Sequence, residues 1–424
     1  MIHHHGFGRL LGRLLPLVTA LTIPLSGSLP MLGWSRVAMA QSPRSESEFR
    51  EAQMEAQMEA QMELGFAVFQ QLRQTQGNEN LLLSPLSLSI ALGMLYGGAE
   101  GATEEAMARW LGAESVEGLD GSYEQILDSL GELSGDVELA IANSIWSGGE
   151  GSLSSEFVDS RQRYYQAQMQ AVDFSEPSQA LGQIHRWISQ QTQGRIAEIL
   201  STQDLNETTV AVVLNALYFS GDWTSSFPSE NTEIRPFTRQ DDSQVYVPMM
   251  QQQLPLVRGY QNSLFRAIEL PYGESERFGM YVFIPQEDVS LEAFYEQLTA
   301  ENWRDWLRRF EWNEAGATVV LPKFHLSTEV NLRESMQALG LTEIFAPGAD
   351  FSGLTNAAFW VTVMRQQLYL EVTEAGTEAA AVTGIGGTRS AAFSIVGDRP
   401  FVFAIRDNET GLLLFLGSVV DPSL

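Results

Sequence analysis

The chain is expected to fold as α+β, with helices concentrated in its first half and strands in its second. Three observations carry this expectation. Helix-periodic segments recur up to about residue 194, and runs rich in β-branched and aromatic residues recur from Val210 onward. At 44% apolar residues, the 424-residue chain has enough hydrophobic material for a deep core. Helices first and strands later is an α+β order, unlike the strict alternation that builds a parallel, doubly wound sheet.

The first forty residues stand apart. Arg9 and Arg13 precede an apolar run from Leu14 to Leu25, and Ala38-Met39-Ala40 offers a small-residue exit before Gln41. That pattern reads as a secretory signal, residues 1–40, cut after Ala40 to leave a mature chain in the periplasm or outside the cell. A membrane anchor fits less well, because Pro16 and Pro24 interrupt a run already shorter than the ~20 residues a span needs. No later segment is apolar enough to span, so no membrane association is expected after cleavage.

Residues 41–64 read as a polar segment followed by a helical extension. Here Glu51-Ala52-Gln53-Met54 repeats through Met58 and Met62 into Phe66, Phe69 and Leu72. These are strong helix formers, and a period of four drifts by about 40° per step against 3.6 residues per turn, so the Met stripe winds round a part-exposed helix. Gly77-Asn78-Glu79-Asn80 ends it. Further helices are predicted at Ser87–Tyr96, Thr103–Leu111, Tyr123–Leu130, Ser155–Gln166 and Ser178–Gln193, with a short one at Leu332–Leu339. Strands are predicted at Val210–Phe219, Phe265–Leu270, Met280–Ile284, Ala317–Leu321, Leu368–Val372 and Phe401–Ile405. The last of these pairs with Leu412–Val420 across Asn408-Glu409-Thr410-Gly411.

Composition removes several chemistries. With no cysteine there is no disulfide framework, thiol nucleophile, thiolate zinc site or iron–sulfur cluster. Beyond His3, His4 and His5 only His185 and His325 remain, and the sequence lacks G-x-S-x-G, a P-loop and G-x-G-x-x-G. An enzyme is therefore not expected, and neither is a metal or cofactor. Outside residues 1–40 the chain carries 53 acidic side chains against 22 basic ones. Such a field repels nucleic acid, anionic membrane and polyanionic activators.

One stretch fits neither helix nor strand. Residues 374–394 have small side chains, four glycines and no proline, and they lie between two strand signals. A loop that long inside a compact unit is usually functional or disordered.

Several separated segments then carry a resemblance. They are Asn80-Leu81-Leu82-Leu83-Ser84-Pro85-Leu86-Ser87 with Leu92 to Ala99, Ala142-Asn143-Ser144-Ile145-Trp146, Thr192-Gln193-Gly194-Arg195-Ile196, and Asn215-Ala216-Leu217-Tyr218-Phe219-Ser220-Gly221-Asp222-Trp223. Val247-Pro248-Met249-Met250, Leu321-Pro322-Lys323-Phe324, Ala349 to Gly353, Arg399-Pro400-Phe401 and Gly417 to Pro422 follow in order. On these residues the mature chain resembles the serpins, the serine protease inhibitor superfamily.

The resemblance implies one domain over residues 65–424 with three β-sheets, eight or nine helices and an exposed reactive loop at about 374–394. It implies that Ser84, Ser87 and Asn215 form a buried polar cluster beneath the main sheet, where strands must part, and that Trp223 lies where the loop first enters. Two departures stand out. Gln366 occupies the cluster position where the family commonly has histidine, and Gly397 stands where an apolar residue is usual. Glutamine still donates and accepts, but any pH sensitivity of a histidine is lost.

Family members that inhibit let the protease cut the loop, then insert its N-terminal arm as a new central strand. The matching hinge here is Glu374, Gly376, Thr377, Glu378, Ala379, Ala380 and Ala381. On alternation, Thr377, Ala379, Ala381 and Thr383 face inward, all small and uncharged, while Glu378, Ala380 and Val382 face out. No proline interrupts the ladder. Counting from Pro400 places the scissile bond at Arg389-Ser390, which suits trypsin-like enzymes; counting from Gly376 places it at Ser390-Ala391. The expected partner is a serine protease held as a covalent acyl complex by a monomer. A non-inhibitory serpin, acting as a binding or chaperone module, is the alternative.

Overall fold

The computed structural model describes residues 46–133, 135–148, 153–375 and 393–423, with side chains from residue 54. Helix α1 (Glu46–Gln76) continues the Met repeat into the body. Leu64, Phe66, Val68, Phe69 and Leu72 are buried, and so are Gln57 and Gln61, while Met58 and Met62 pack half-buried against the core. Gln61 Nε2 donates to the Leu413 carbonyl at 3.1 Å.

After β1 (Leu81–Leu83) comes α2 (Pro85–Tyr96), every residue of which is buried. It starts two residues ahead of the expected Ser87: Ser84 caps it, its hydroxyl accepting from Ser87 N, and Pro85 fills the first turn, where no amide donor is needed. Helices α3 (Gly101–Leu111) and α4 (Val116–Gly131) follow. The expected start of α4 at Tyr123 is corrected to Val116. The Ser115 hydroxyl accepts from Gly118 N and Leu119 is buried, which outweighs the helix cost of Gly118 and Gly121. Then come β2 (Val137–Ser147), α5 (Ser155–Tyr165), β3 (Gln168–Ala171) and α6 (Pro177–Gln191).

The second half opens with β4 (Ala211–Gly221), β5 (Glu233–Thr238), β6 (Gln244–Leu254), β7 (Val257–Gln261), β8 (Phe265–Tyr272) and β9 (Phe278–Pro285). Two short helices, α7 (Leu291–Gln297) and α8 (Ala300–Arg308), precede β10 (Glu311–Asn313), β11 (Ala317–Pro322), β12 (Phe324–Asn331) and α9 (Leu332–Ala338). The chain closes with β13 (Val363–Val372), β14 (Phe393–Val396), β15 (Phe401–Asp407) and β16 (Leu413–Val419).

Sequence reading misses β1, β2, β3, β5, β6, β7, β10, β12, β14, α7 and α8. Polar residues such as Gln251 and Gln253 break the strand texture of β6, and the two helices are only 7 and 9 residues long, too short to show a period. Residues Phe393 and Ser394, expected in the loop, begin β14, which runs parallel to β11 with Phe393 opposite Ala317.

The described residues form nine α-helices and three sheets. A seven-stranded sheet, ordered β1-β16-β15-β9-β8-β7-β10, is antiparallel at every step. A four-stranded sheet runs β14-β11-β6-β5, and a five-stranded sheet runs β12-β13-β4-β2-β3. One apolar core fills the space among helices and sheets, and a smaller cluster including Ile184, Ile188, Val212 and Leu214 seats α6 on the five-stranded sheet.

Candidate functional site

The five-stranded sheet has a parallel ladder at its centre. Strand β13 lies beside β4 in parallel register from Val363 opposite Val212 to Leu370 opposite Phe219, with β12 antiparallel on its other side. Strand β13 ends at Val372, directly before the small-residue loop. A chain doubling back from there runs antiparallel to β13 and also to β4. It would therefore replace one slanted parallel ladder with two antiparallel ones, the more stable pairing per residue. Both flanks of β13 are occupied, so such a strand needs β13 and β4 to part.

The buried polar cluster sits across this seam. Gln366 on β13 stands opposite Asn215 on β4, and Asn143 on β2 stands opposite Asn215 on the far side. Ser84, Ser87, Asn215 and Gln366 are fully buried. The Gln366 amide clasps the backbone ahead of α2: its Oε1 accepts from Ser84 N at 2.9 Å and its Nε2 donates to the Ser84 carbonyl at 3.1 Å. Asn215 turns the other way, donating to Asn143 Oδ1 at 2.7 Å, and Asn143 donates to the Tyr165 carbonyl at 3.1 Å. The cluster is thus two groups divided along the seam. The Ser87 hydroxyl and Asn215 Oδ1 have no hydrogen-bond partner among the described residues. A buried polar atom left unpaired costs about 1–3 kcal/mol, which the closed sheet bears.

The loop's base is pinned at the head of the seam. Trp223, 5% exposed, stacks on Tyr272 with ring centroids 4.3 Å apart. Its Nε1 donates to the Thr373 carbonyl at 2.9 Å and its backbone N to the Ala375 carbonyl at 3.4 Å. Glu374 is held from both sides, accepting from Thr232 Oγ1 at 2.7 Å and pairing with Lys323 Nζ at 2.6 Å. Partial burial pushes the Glu374 carboxyl up, but the Lys323 and Thr232 hydrogen bonds outweigh it and leave the group below its ordinary range.

Farther along β13, Arg365 pairs with Asp204 at 2.6 Å and Glu329 at 3.2 Å. Asp204 lies in the segment between α6 and β4, so this pair bridges the seam. Burial works against its ionisation, yet hydrogen bonds from Ser201 and the Arg365 guanidinium lower its carboxyl overall.

Of the residues singled out from sequence, Ser84, Ser87, Asn215, Gln366, Trp223 and Glu374 meet along this seam. Gly376, Thr377, Glu378, Ala379, Ala380 and Ala381, and the candidate bonds Arg389-Ser390 and Ser390-Ala391, lie outside the described residues. Sequence reading missed Thr232, Asp204 and Arg365, and took Asn143 only as part of a motif. It quoted Lys323 without a role, although a single lysine in an arginine-rich chain is a signal. His185 Nε2 donates to the Leu200 carbonyl at 3.0 Å, and His325 stands opposite Glu371 at a sheet edge, so neither joins a catalytic arrangement among the described residues.

Comparison with known proteins agrees with this architecture. The family model described as serpin (serine protease inhibitor) matches residues 59–422. Human neuroserpin (Homo sapiens) is 31% identical over 372 residues, covering 85% of this chain and 90% of the relative. Plasminogen activator inhibitor 1 from Neovison vison is 33% identical over 367 residues, covering 84% and 91%. The crystal structure of native protease nexin-1 with heparin superposes with a TM-score of 0.79 at 28% identity, over 87% of this chain and 100% of that one.

Proposed function

Because the chain belongs to the serpin family, which comprises protease inhibitors and some non-inhibitory members but not enzymes, we propose that it is a suicide-type inhibitor of serine proteases with trypsin-like targets. The protease cuts Arg389-Ser390, its serine becoming acylated by the Arg389 carboxyl as the Ser390 amine leaves. Residues from Gly376 onward then enter between β13 and β4, and the acylated protease is carried along before water can release it. The nucleophile belongs to the target; this chain supplies a strained scaffold.

The observation that carries the reading is the parallel β13/β4 ladder immediately preceding a loop of small, proline-free residues. Each ladder hydrogen bond gained on insertion is worth ~1 kcal/mol net, so the uncut fold persists kinetically and proteolysis releases it. Thr377, Ala379 and Ala381 would meet the core face where Gln366 and Asn215 now lie, and their small size keeps desolvation low. Arg389 suits the acidic pocket of trypsin-like enzymes. Ser84, Ser87, Asn215, Gln366 and Trp223 act as the groups through which the seam opens. Residues 1–40 act as a cleaved secretory leader, so the mature protein, a monomer from Gln41, works outside the cytoplasm.

The test is incubation with trypsin followed by denaturing electrophoresis. An SDS-resistant band of summed mass is expected, with mass spectrometry placing the cut after Arg389. Arg389→Ala should slow the reaction at least about a hundredfold, an unpaired specificity-pocket aspartate being worth several kcal/mol. Clean loop cleavage with no such band would favour a non-inhibitory binding module instead.

A further inference from the structure

Beside the loop's base lies a cleft of about 410 Å³ between the β6–β7 turn, β8, β10 and the turn after β15. Trp223 forms one wall, and Leu256 and Trp312 stand at its rim, 50% and 59% exposed. Covering large apolar side chains of this kind removes apolar surface from water and so favours a complex. A volume in this range suits a small organic ligand.

The polar lining has surplus donors. Glu269 is buried with both oxygens engaged, Oε1 accepting from Asn408 Nδ2 at 2.8 Å and Oε2 from Arg258 Nη1 at 2.7 Å. Arg258 spends one nitrogen there. Arg406 also spends one, Nη1 donating to Asn408 Oδ1 at 2.9 Å, and no carboxylate pairs with it among the described residues. Both guanidiniums therefore keep N–H groups for an incoming acceptor. Glu276 also lines the cleft but is exposed to solvent, where its charge is screened. Two arginines with donors to spare are notable in a chain of net charge −28.

We propose that this cleft binds an amphipathic organic anion, its carboxylate on Arg258 and Arg406 and its apolar body against Trp312 and Leu256. Because Trp223 also holds Thr373 and Ala375, a ligand against its ring keeps the loop's base in place and delays insertion. Delay gives water time to release the acyl-enzyme, so occupancy shifts the chain from trapping toward being cut. The coupling rests on the inhibitory reading above; the binding does not.

The test titrates the full chain with fluorescent 1-pyrenebutyrate and its uncharged counterpart 1-pyrenebutanol. Saturable one-to-one binding is expected, about tenfold tighter for the carboxylate through charge-assisted bonds. Arg258→Gln and Arg406→Gln should erase that preference, and Trp312→Ala should weaken both probes about fivefold. Equal affinity for the two probes, or unchanged affinity in Trp312→Ala, overturns the site. Saturating 1-pyrenebutyrate should at least halve the trapped fraction with trypsin in the parent chain and not in Trp312→Ala. Saturation with an unchanged trapped fraction overturns the coupling, as does a chain that never traps trypsin, which sinks the inhibitory reading while leaving the binding result intact.

Discussion

The seven-stranded and five-stranded sheets are made of the same chain but are built for different ends. In the first, every neighbouring pair is antiparallel, and strands such as β9 and β16 present buried side chains along their whole length. Phe283 alone faces Phe265, Phe294, Trp303, Trp306 and Phe310. In the second, the central ladder is parallel, and its middle row carries Gln366, Asn215 and Asn143 where the other sheet would place valine or phenylalanine. Apolar packing is non-directional and resists any separation, whereas amides that bond away from a seam let the seam open. If the cut loop inserts as proposed, this difference marks where the sheet would open.

The sharpest way to break the contrast is to cut the loop. The nicked protein should melt higher than the intact one by ~20 °C, from ~10 kcal/mol of net new pairing at ~2 °C per kcal/mol. Scanning calorimetry checks this, and equal melting points would falsify the insertion model. Thr377→Arg should fold normally yet lose nearly all trapping, since burying an unpaired guanidinium costs several kcal/mol. Stoichiometric trapping by that variant would contradict the inward assignment of Thr377.

Next in size is a paired core test. Phe283→Ala should cost about 3–5 kcal/mol of stability by urea unfolding while leaving the trapped fraction unchanged. Gln366→Ala should cost about 1–3 kcal/mol, because Ser84 N and its carbonyl lose buried partners. It should also speed spontaneous conversion of uncut protein to a higher-melting form by about tenfold, ~1.4 kcal/mol off the barrier. If the two variants behaved alike, the sheets would not differ as argued.

The smallest effect is electrostatic. The carboxyls of Asp204 and Glu374 are both lowered in the fold, so the stability they contribute is fully present above the ordinary carboxylate range. It is lost as pH falls through their depressed folded values. Asp204→Asn should remove about 1 kcal/mol at neutral pH, and the loss should shrink below about pH 4 as the parent protonates. The row through Gln366 and Asn215 has no titrating group, so the seam's opening rate should be level from about pH 6 to 8, and Gln366→His should introduce a slope there.

Much of the site was legible in the sequence through the family resemblance, on which Ser84, Ser87, Asn215, Gln366 and Trp223 are named together. Ser84 proves to be the cap of a helix expected to start only at Ser87, while the proline-free stretch reads as an arm fit for a sheet. Asn143 was not legible as a member of the cluster, since an asparagine inside a strand looks like any polar interruption until β2 and β4 are aligned. Lys323 and Thr232 are distant from Glu374 along the chain and meet it only in space. Asp204 lies in a connecting segment without periodicity, and Arg365 precedes the stretch expected to be strand.

What the amino-acid order settled was helical character early, strand character late, the absence of cysteine chemistry and the small side chains of the loop. All of these follow from properties of neighbouring residues. Tertiary structure alone decided that β13 would lie parallel to β4, that the amide cluster would divide along that seam, and that Trp223 would join the loop's base to a donor-rich cleft. Each of these is a relation between segments far apart in the chain, and such relations are chosen by the packing of the whole and not by local preference.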